Sequence, residues 1–220
     1  MTSADEDGPT PARRHPQQDR SAAKIEMIVS ATARLLGATE PRSLTARKIA
    51  AAAGVSAPTV YRYFRDVDHV IDAVLVEHAD AATSAVTEAL SVSRHRTVAG
   101  VFQLVVDTHL RLYSARPDLT VTWASEELAR RRREIEIESD RSLALQVGRH
   151  LERKNLIGRL TATEELLFNA HWATTGTLLG IALTADESDR PLLLAEIRHL
   201  VKHFATRYTP PLPHPRRDNQ

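Results

Sequence analysis

The 220-residue chain contains no cysteine. That absence excludes a disulfide framework, a dithiol redox pair, a zinc finger and a thiol nucleophile. An excess of charge of one sign is also lacking: 29 Lys and Arg stand against 28 Asp and Glu, a formal charge of +1. Bulk basicity therefore gives no sign of a nucleic-acid partner, and only the placement of charge can. The opening MTSADEDGPTPARRHPQQDR has no apolar stretch and does not read as a secretory signal. The metalloprotease HExxH, the dinucleotide GxGxxG and the glycine-rich phosphate loop are missing. Ten histidines give a single Glu-x-x-His pair, Glu196 and His199, without the second that a helical metal site wants. No metal, no cofactor and no catalytic residue are expected, and the cytoplasm is the expected location.

Long apolar runs are scarce too. The stretch from Leu166 to Thr184 has no Asp, Glu, Lys or Arg, close to the roughly 20 residues that a bilayer requires. It holds Asn169, His171, Thr174, Thr175 and Thr177, however, and acids flank both ends. The positive flank that orients a membrane span is absent, so the segment reads as a helix buried on several faces, and no membrane partner is expected.

What is present is helical period almost throughout. Apolar residues recur at spacings of three and four through Ile25–Leu36, again through Val70–Ala85, and again through Val98–Tyr113. Pro117 interrupts; a charged helix then spans about 126 to 154, the uncharged helix follows, and a last one carries Leu193, Ile197, Leu200 and Phe204. No alternating pattern suggests a sheet. The expected fold is all-α, a three-helix N-terminal domain over 20–66 and a larger helical bundle over 67–209. Proline-rich segments 1–19 and 210–220 read as a mobile arm and tail.

Charge is uneven along this plan. Residues 13 to 65 hold ten Lys and Arg against Asp19, Glu26 and Glu40, a balance of +7, leaving −6 for the rest of the chain. Such asymmetry suits a phosphate-binding head on a soluble body. Residues 44 to 64, LTARKIAAAAGVSAPTVYRYF, sharpen that reading. Thr45 can cap a helix whose inner face is Ala46, Ile49, Ala50 and Ala53. Gly54 then suits a left-handed helix end. Ser56 is a second cap, Pro58 is tolerated in the first turn, and Val60 and Phe64 face inward. This is a helix-turn-helix layout. It leaves Ala57, Pro58, Thr59, Tyr61, Arg62 and Tyr63 turned outward or toward the helix end. Short Ala57 and Pro58 permit close approach to a major groove; the Thr45, Thr59 and Tyr63 hydroxyls can bond phosphates; Arg47 and Lys48 supply charge; Arg62 can pair with guanine; Ser56 is counted with them in the DNA-binding set. Tyr61 and Tyr63 have a second reading, as rings packed on the first helix. Arg13 and Arg14 can reach a minor groove or merely add solubility.

With these residues in place, the segment resembles the TetR family of bacterial repressors. LTARKIAAAAGVSAPTVYRYF followed by DVDHVIDAVL puts Thr45, Arg47, Ile49, Ala50, Gly54, Val55, Thr59, Tyr61, Tyr63 and Phe64 in family positions, over roughly residues 20 to 75. One departure is Val67, where the family usually carries a phosphate-contacting lysine at the start of the fourth helix. The resemblance implies a homodimer gripping a near-palindromic double-stranded operator, with a body pocket whose small-molecule effector changes head spacing. Small residues Ala173, Thr174, Gly176, Thr177 and Gly180, with Leu178 and Ile181, offer a face for close helix crossing. Together with Leu193, Ile197, Leu200 and Phe204 this makes the expected four-helix dimer interface; packing inside one subunit is the alternative.

For the effector, the expected contacts are Phe102, Val106, His109, Tyr113, Trp123, Val147, Asn169 and Trp172, an apolar set with few polar groups. His109 reads equally as a core histidine bonded to a carbonyl. The run Arg130–Arg133 followed by Glu134, Glu136, Glu138 and Asp140 reads as a self-compensated, solvated face, with Arg130–Glu134 and Arg132–Glu136 four apart. The function expected is a ligand-released transcriptional repressor that does no chemistry. The alternatives are a helical-bundle carrier or enzyme whose head does not bind DNA, and a non-specific chromosome coat.

Overall fold

The computed structural model describes residues 16–208, with side chains at 20–116, 118–122 and 125–208. Arg13, Arg14 and the tail from 209 lie outside the described residues. Nine α-helices and no strand occur among the described residues: α1 (Pro16–Leu36), α2 (Ala46–Ala53), α3 (Ala57–Tyr63), α4 (Val67–Ser91), α5 (Val98–Ala115), α6 (Pro117–Ala124), α7 (Glu126–Arg153), α8 (Ala162–Thr184) and α9 (Arg190–Tyr208). α1 starts four residues inside the segment read as an arm.

Local chemistry sets the boundaries. Thr45, Ser56, Asp66, Thr97, Ser125 and Thr161 each accept the backbone N–H three residues on, at the starts of α2, α3, α4, α5, α7 and α8. Such caps are worth about 1 kcal/mol each. At Thr161 the Glu164 carboxylate returns the bond to the Thr161 N–H, completing a reciprocal box. Gly54 has φ 67°, the left-handed conformation that lets α2 stop and turn. Pro117 does more than interrupt. Proline is compatible with the first turn of a helix, and here it opens α6, whose Leu119 is buried in the body.

Three apolar clusters hold the chain together. Ile28, Ala31, Ile49, Ala50, Val60 and Val70 form the head core, joining α1, α2 and α3 to the start of α4. Val29, Leu36, Leu44, Ile71, Val74 and Leu128 join α1 and α4 to the start of α7. The largest cluster fills the body, with Phe102, Leu143, Leu151, Phe168, Trp172, Ile197 and Tyr208 among its members. α8 buries Phe168, Trp172, Leu179 and Leu183 but exposes Leu166 and Ile181. No helix among the described residues is long and apolar enough to cross a membrane.

Candidate nucleic-acid interface and ligand cavity

The head presents one decorated surface. α2 turns Ala46, Ile49 and Ala50 inward and leaves Thr45, Arg47 and Lys48 exposed. Across the Gly54 turn, α3 buries Val60 and leaves Ser56, Pro58, Tyr61 and Arg62 exposed. Tyr61 is 57% exposed, so its ring is not packed on the first helix. Tyr63 differs: it is half-buried against the head core, as Ala57 is, because both lie on the side of α3 that leans toward that core. Hydroxyls are partly engaged already. Ser56 Oγ and Thr59 Oγ1 lie 2.8 Å apart, and Thr45 Oγ1 accepts Lys48 N–H at 3.2 Å. Lys48 Nζ donates to the Ser43 carbonyl at 2.8 Å, and Arg62 lies 5.6 Å from the centre of the Tyr63 ring. Arg47 and Arg62 enter no ion pair among the described residues.

The start of α4 is locked. Asp66 caps it through His69 N–H at 3.0 Å, meets His69 Nδ1 at 2.7 Å, and accepts Arg65 Nε at 3.1 Å. The His69 side-chain bond is the largest influence holding the Asp66 carboxyl well below its ordinary range. Val67 is half-buried and packs on two clusters at once, joining the head to α4.

The body holds a partly open cavity of about 310 Å³ between α4, α5, α6, α7 and α8. Of the expected contacts, Phe102, Val106, His109, Tyr113 and Trp172 line it. Val147 does not: it is fully buried in the main core, its side chain committed to packing. Asn169 does not either, and its buried Oδ1 has no hydrogen-bond partner. The Trp123 side chain lies outside the described residues. His109 is bonded to a carbonyl and also borders the cavity. Its Nδ1 lies 2.9 Å from the Val105 carbonyl, and the ring also forms part of the cavity wall. Burial lowers its pKa and so favours the neutral ring.

The charged run on α7 is the main surprise. Arg130–Glu134 is a solvated pair at 3.6 Å, but its neighbours are not a solvated face. Arg131 turns to α4 and holds Asp68 at 2.7 Å and Asp72 at 2.9 Å. Arg132, Glu136 and Asp140, one turn apart, line the cavity. Arg132 and Glu136 pair at 3.3 Å with side chains only 12% and 23% exposed. Burial pushes the Glu136 carboxyl up to about 7, against the lowering effect of Arg132 and with a further rise from Asp140. Asp140 is raised by burial while accepting a hydrogen bond from Trp172. The fourfold spacing Arg132, Glu136, Asp140 was a visible signal; nothing local said that this edge faces inward. On the far wall, His78 Nε2 lies 3.2 Å from Asp118 Oδ2 and its Nδ1 3.3 Å from the Thr122 hydroxyl. Burial, the largest influence, lowers His78 to about 4.

The residues expected at a dimer face divide. Ala173, Thr174, Thr177 and Ile181 are exposed on α8, and Leu178, Leu193, Leu200 and Phe204 are half-buried. Ile197 is buried within the subunit at 1% exposure, so it packs in the body core. Ala173 and Thr177 also border the cavity. Phe204 stacks on His171 at 4.0 Å.

Residues 28–74, spanning this head, match the family model for bacterial regulatory proteins, tetR family. The head is similar to the helix-turn-helix domain of that family. The whole chain shares its fold with TetR-family regulators. A TetR-family transcriptional regulator from Streptomyces coelicolor superposes with TM-score 0.65 at 23% identity, over 86% of this chain and 98% of that one. The fatty acid degradation regulator FadR from Bacillus halodurans gives 0.61 at 18% identity, over 93% and 100%. FadR from Bacillus subtilis, solved with stearoyl-CoA, gives 0.61 at 15% identity, over 82% and 97%. No curated protein sequence matches the chain. The plan, a head similar to that family's on a larger helical domain, is the fold these regulators share.

Proposed function

We propose that the protein is a dimeric repressor, released from a near-palindromic operator by a small molecule bound in the body cavity, and that it carries out no chemistry. The observation that carries this reading is the exposed surface of α3 beside α2. Tyr61, Arg62 and Pro58 on α3, which Ser56 caps, and Arg47 on α2, which ends at Gly54, are exposed side by side on the head. In this reading α3 enters the major groove N-terminus first, with Arg62 on a guanine and Thr45, Arg47, Lys48, Ser56, Thr59 and Tyr63 on the phosphates. Val67 makes no phosphate contact, and Arg65 at the same helix start takes its place.

Dimerisation uses the exposed stripe of α8, Leu166, Ala170, Ala173, Thr177 and Ile181, with Leu192, Leu200 and Phe204 of α9. An apolar stripe on two adjacent helices is satisfied by its symmetry mate in a four-helix arrangement. The functional division falls near residue 66, although α4 is packed into both halves. The effector favours the body conformation whose heads do not match half-sites roughly 34–36 Å apart. A ligand bound equally by both conformations would release nothing.

The test is selection from random duplex DNA by the purified full chain at physiological salt, followed by sequencing. Enrichment of a near-palindrome with half-sites about one helical turn apart is the expected result. Retention without shared sequence would replace the operator reading with non-specific coating, and no retention by a folded dimer would turn attention to a carrier.

A further inference from the structure

We propose that the body cavity is a site for an organic cation: a compact apolar body carrying one protonated amine, which docks at Asp140. The proposal rests on the reading of this cavity as a ligand site and goes beyond it by naming the chemistry of the ligand.

The first argument is the wall. At about 310 Å³ the cavity lies at the low end of the range for small-molecule sites. Phe102, Tyr113 and Trp172 contribute aromatic surface to it. Ring faces attract cations as well as apolar carbon.

The second is the charge inventory. Arg132 is already answered, by Glu136 at 3.3 Å and by the Thr122 carbonyl at 3.2 Å. Arg133 is exposed, where solvent and salt screen it. Asp140 accepts the Trp172 indole N–H, and no ion pair reaches it among the described residues. Arg133 also borders the cavity but pairs with nothing in it, so half-buried Asp140 has no ion-pair partner among the described residues, and a partly desolvated carboxylate there is favoured by a ligand that brings a cation.

The third is the supply of donors. A carbonyl only accepts, so the 2.9 Å contact of His109 Nδ1 with Val105 O places the proton on Nδ1 and leaves Nε2 as a lone pair. Three cavity hydroxyls donate to their own helices: Thr122 to Leu119 O at 2.8 Å, Thr175 to His171 O at 2.9 Å, and Thr177 to Ala173 O at 3.0 Å. Away from Arg132 and Arg133, these groups turn acceptors toward the cavity, and the ligand that complements them and Asp140 brings donors. An ammonium group brings three.

The experiment uses three isosteric probes, 4-phenylbutylamine, 4-phenylbutanol and 4-phenylbutyrate, titrated calorimetrically into the full chain at neutral pH. The amine is expected to bind about tenfold more tightly than the alcohol, with the carboxylate weakest. Asp140→Asn keeps the shape and an acceptor for the indole; it should bring the amine down to the alcohol while leaving the alcohol unchanged. The proposal is overturned if the carboxylate binds as well as the amine, if amine and alcohol are equal in the wild type, if the preference survives Asp140→Asn, or if none of the three binds. The operator enriched by selection separates this from the repressor reading. Amine binding that leaves the protein on that DNA supports the cation site and counts against effector release alone.

Discussion

The head and the body spend their arginines differently. In the head, Arg47 and Arg62 stand in solvent with no ion pair among the described residues. In the body, Arg131 binds two carboxylates of α4, Arg132 is buried against Glu136, and Arg116 holds Asp118 at 2.8 Å and Glu77 at 3.5 Å. Charge kept out of internal pairs is available to a partner, and polyanions such as DNA exploit it. Charge committed to internal pairs fixes helix against helix. The +7 and −6 balance of the two regions runs parallel to this contrast, although Arg42 and Arg65 of the head do pair, with Glu40, Glu127 and Asp66.

The comparison can be broken most directly at Tyr61. Tyr61→Ala should weaken operator binding by about 10- to 100-fold in a gel-shift titration, with helicity and dimer mass unchanged, since base-contact losses run about 1–3 kcal/mol. A melted fold would show instead that the ring supports the core. Next in size is the pH dependence of the cavity wall. Glu136 has its pKa raised from 4.5 to about 7, so the folded protein holds that proton more tightly than the unfolded chain does. Its stabilising contribution is complete below about 4.5 and is lost as pH rises to about 7. Chemical denaturation should therefore show wild type losing about 1–2 kcal/mol relative to Glu136→Gln across that window. His78 works in the opposite sense: with its pKa lowered to about 4, it costs stability as pH falls from 6.5 toward 4. A wild-type minus Glu136→Gln difference that does not vary with pH would place the Glu136 carboxyl in solvent.

A smaller effect is expected at Arg131. Arg131→Ala removes two ion pairs between α7 and α4, but Asp68 and Asp72 are well exposed, so about 1 kcal/mol of unfolding stability is expected to go. Smallest is Arg47→Ala. It should leave the denaturation midpoint unchanged and flatten the salt dependence of DNA binding by about one unit. An altered midpoint with an unchanged slope would reverse the roles assigned to head and body arginines.

Legibility from sequence followed the range of the interactions. The caps Thr45, Ser56 and Asp66, the left-handed Gly54 and the inward Val60 are decided within four residues of chain, and each appears where the pattern placed it. Five cavity contacts were legible because one face of α5, with Trp172 of α8, repeats apolar residues at helical spacing. Arg132, Glu136 and Asp140 were not, because their pattern on α7 is that of any solvated helix edge. Val147 and Ile197 were misplaced for the complementary reason: periodicity gives the apolar face of a helix, but not which neighbour covers it.

The amino-acid sequence by itself determined that the chain is helical, where the turn of the head lies, and which side chains that turn must push outward. Backbone amides, caps and a glycine at positive φ act over a single turn and need no distant partner. Only tertiary structure decided that a charged strip on α7 faces a cavity, that Val67 joins head to body, and that Asp140 meets an indole rather than a cation. Those outcomes depend on which helices pack together, and burial and the electrostatics that follow from it are properties of the packed assembly of helices.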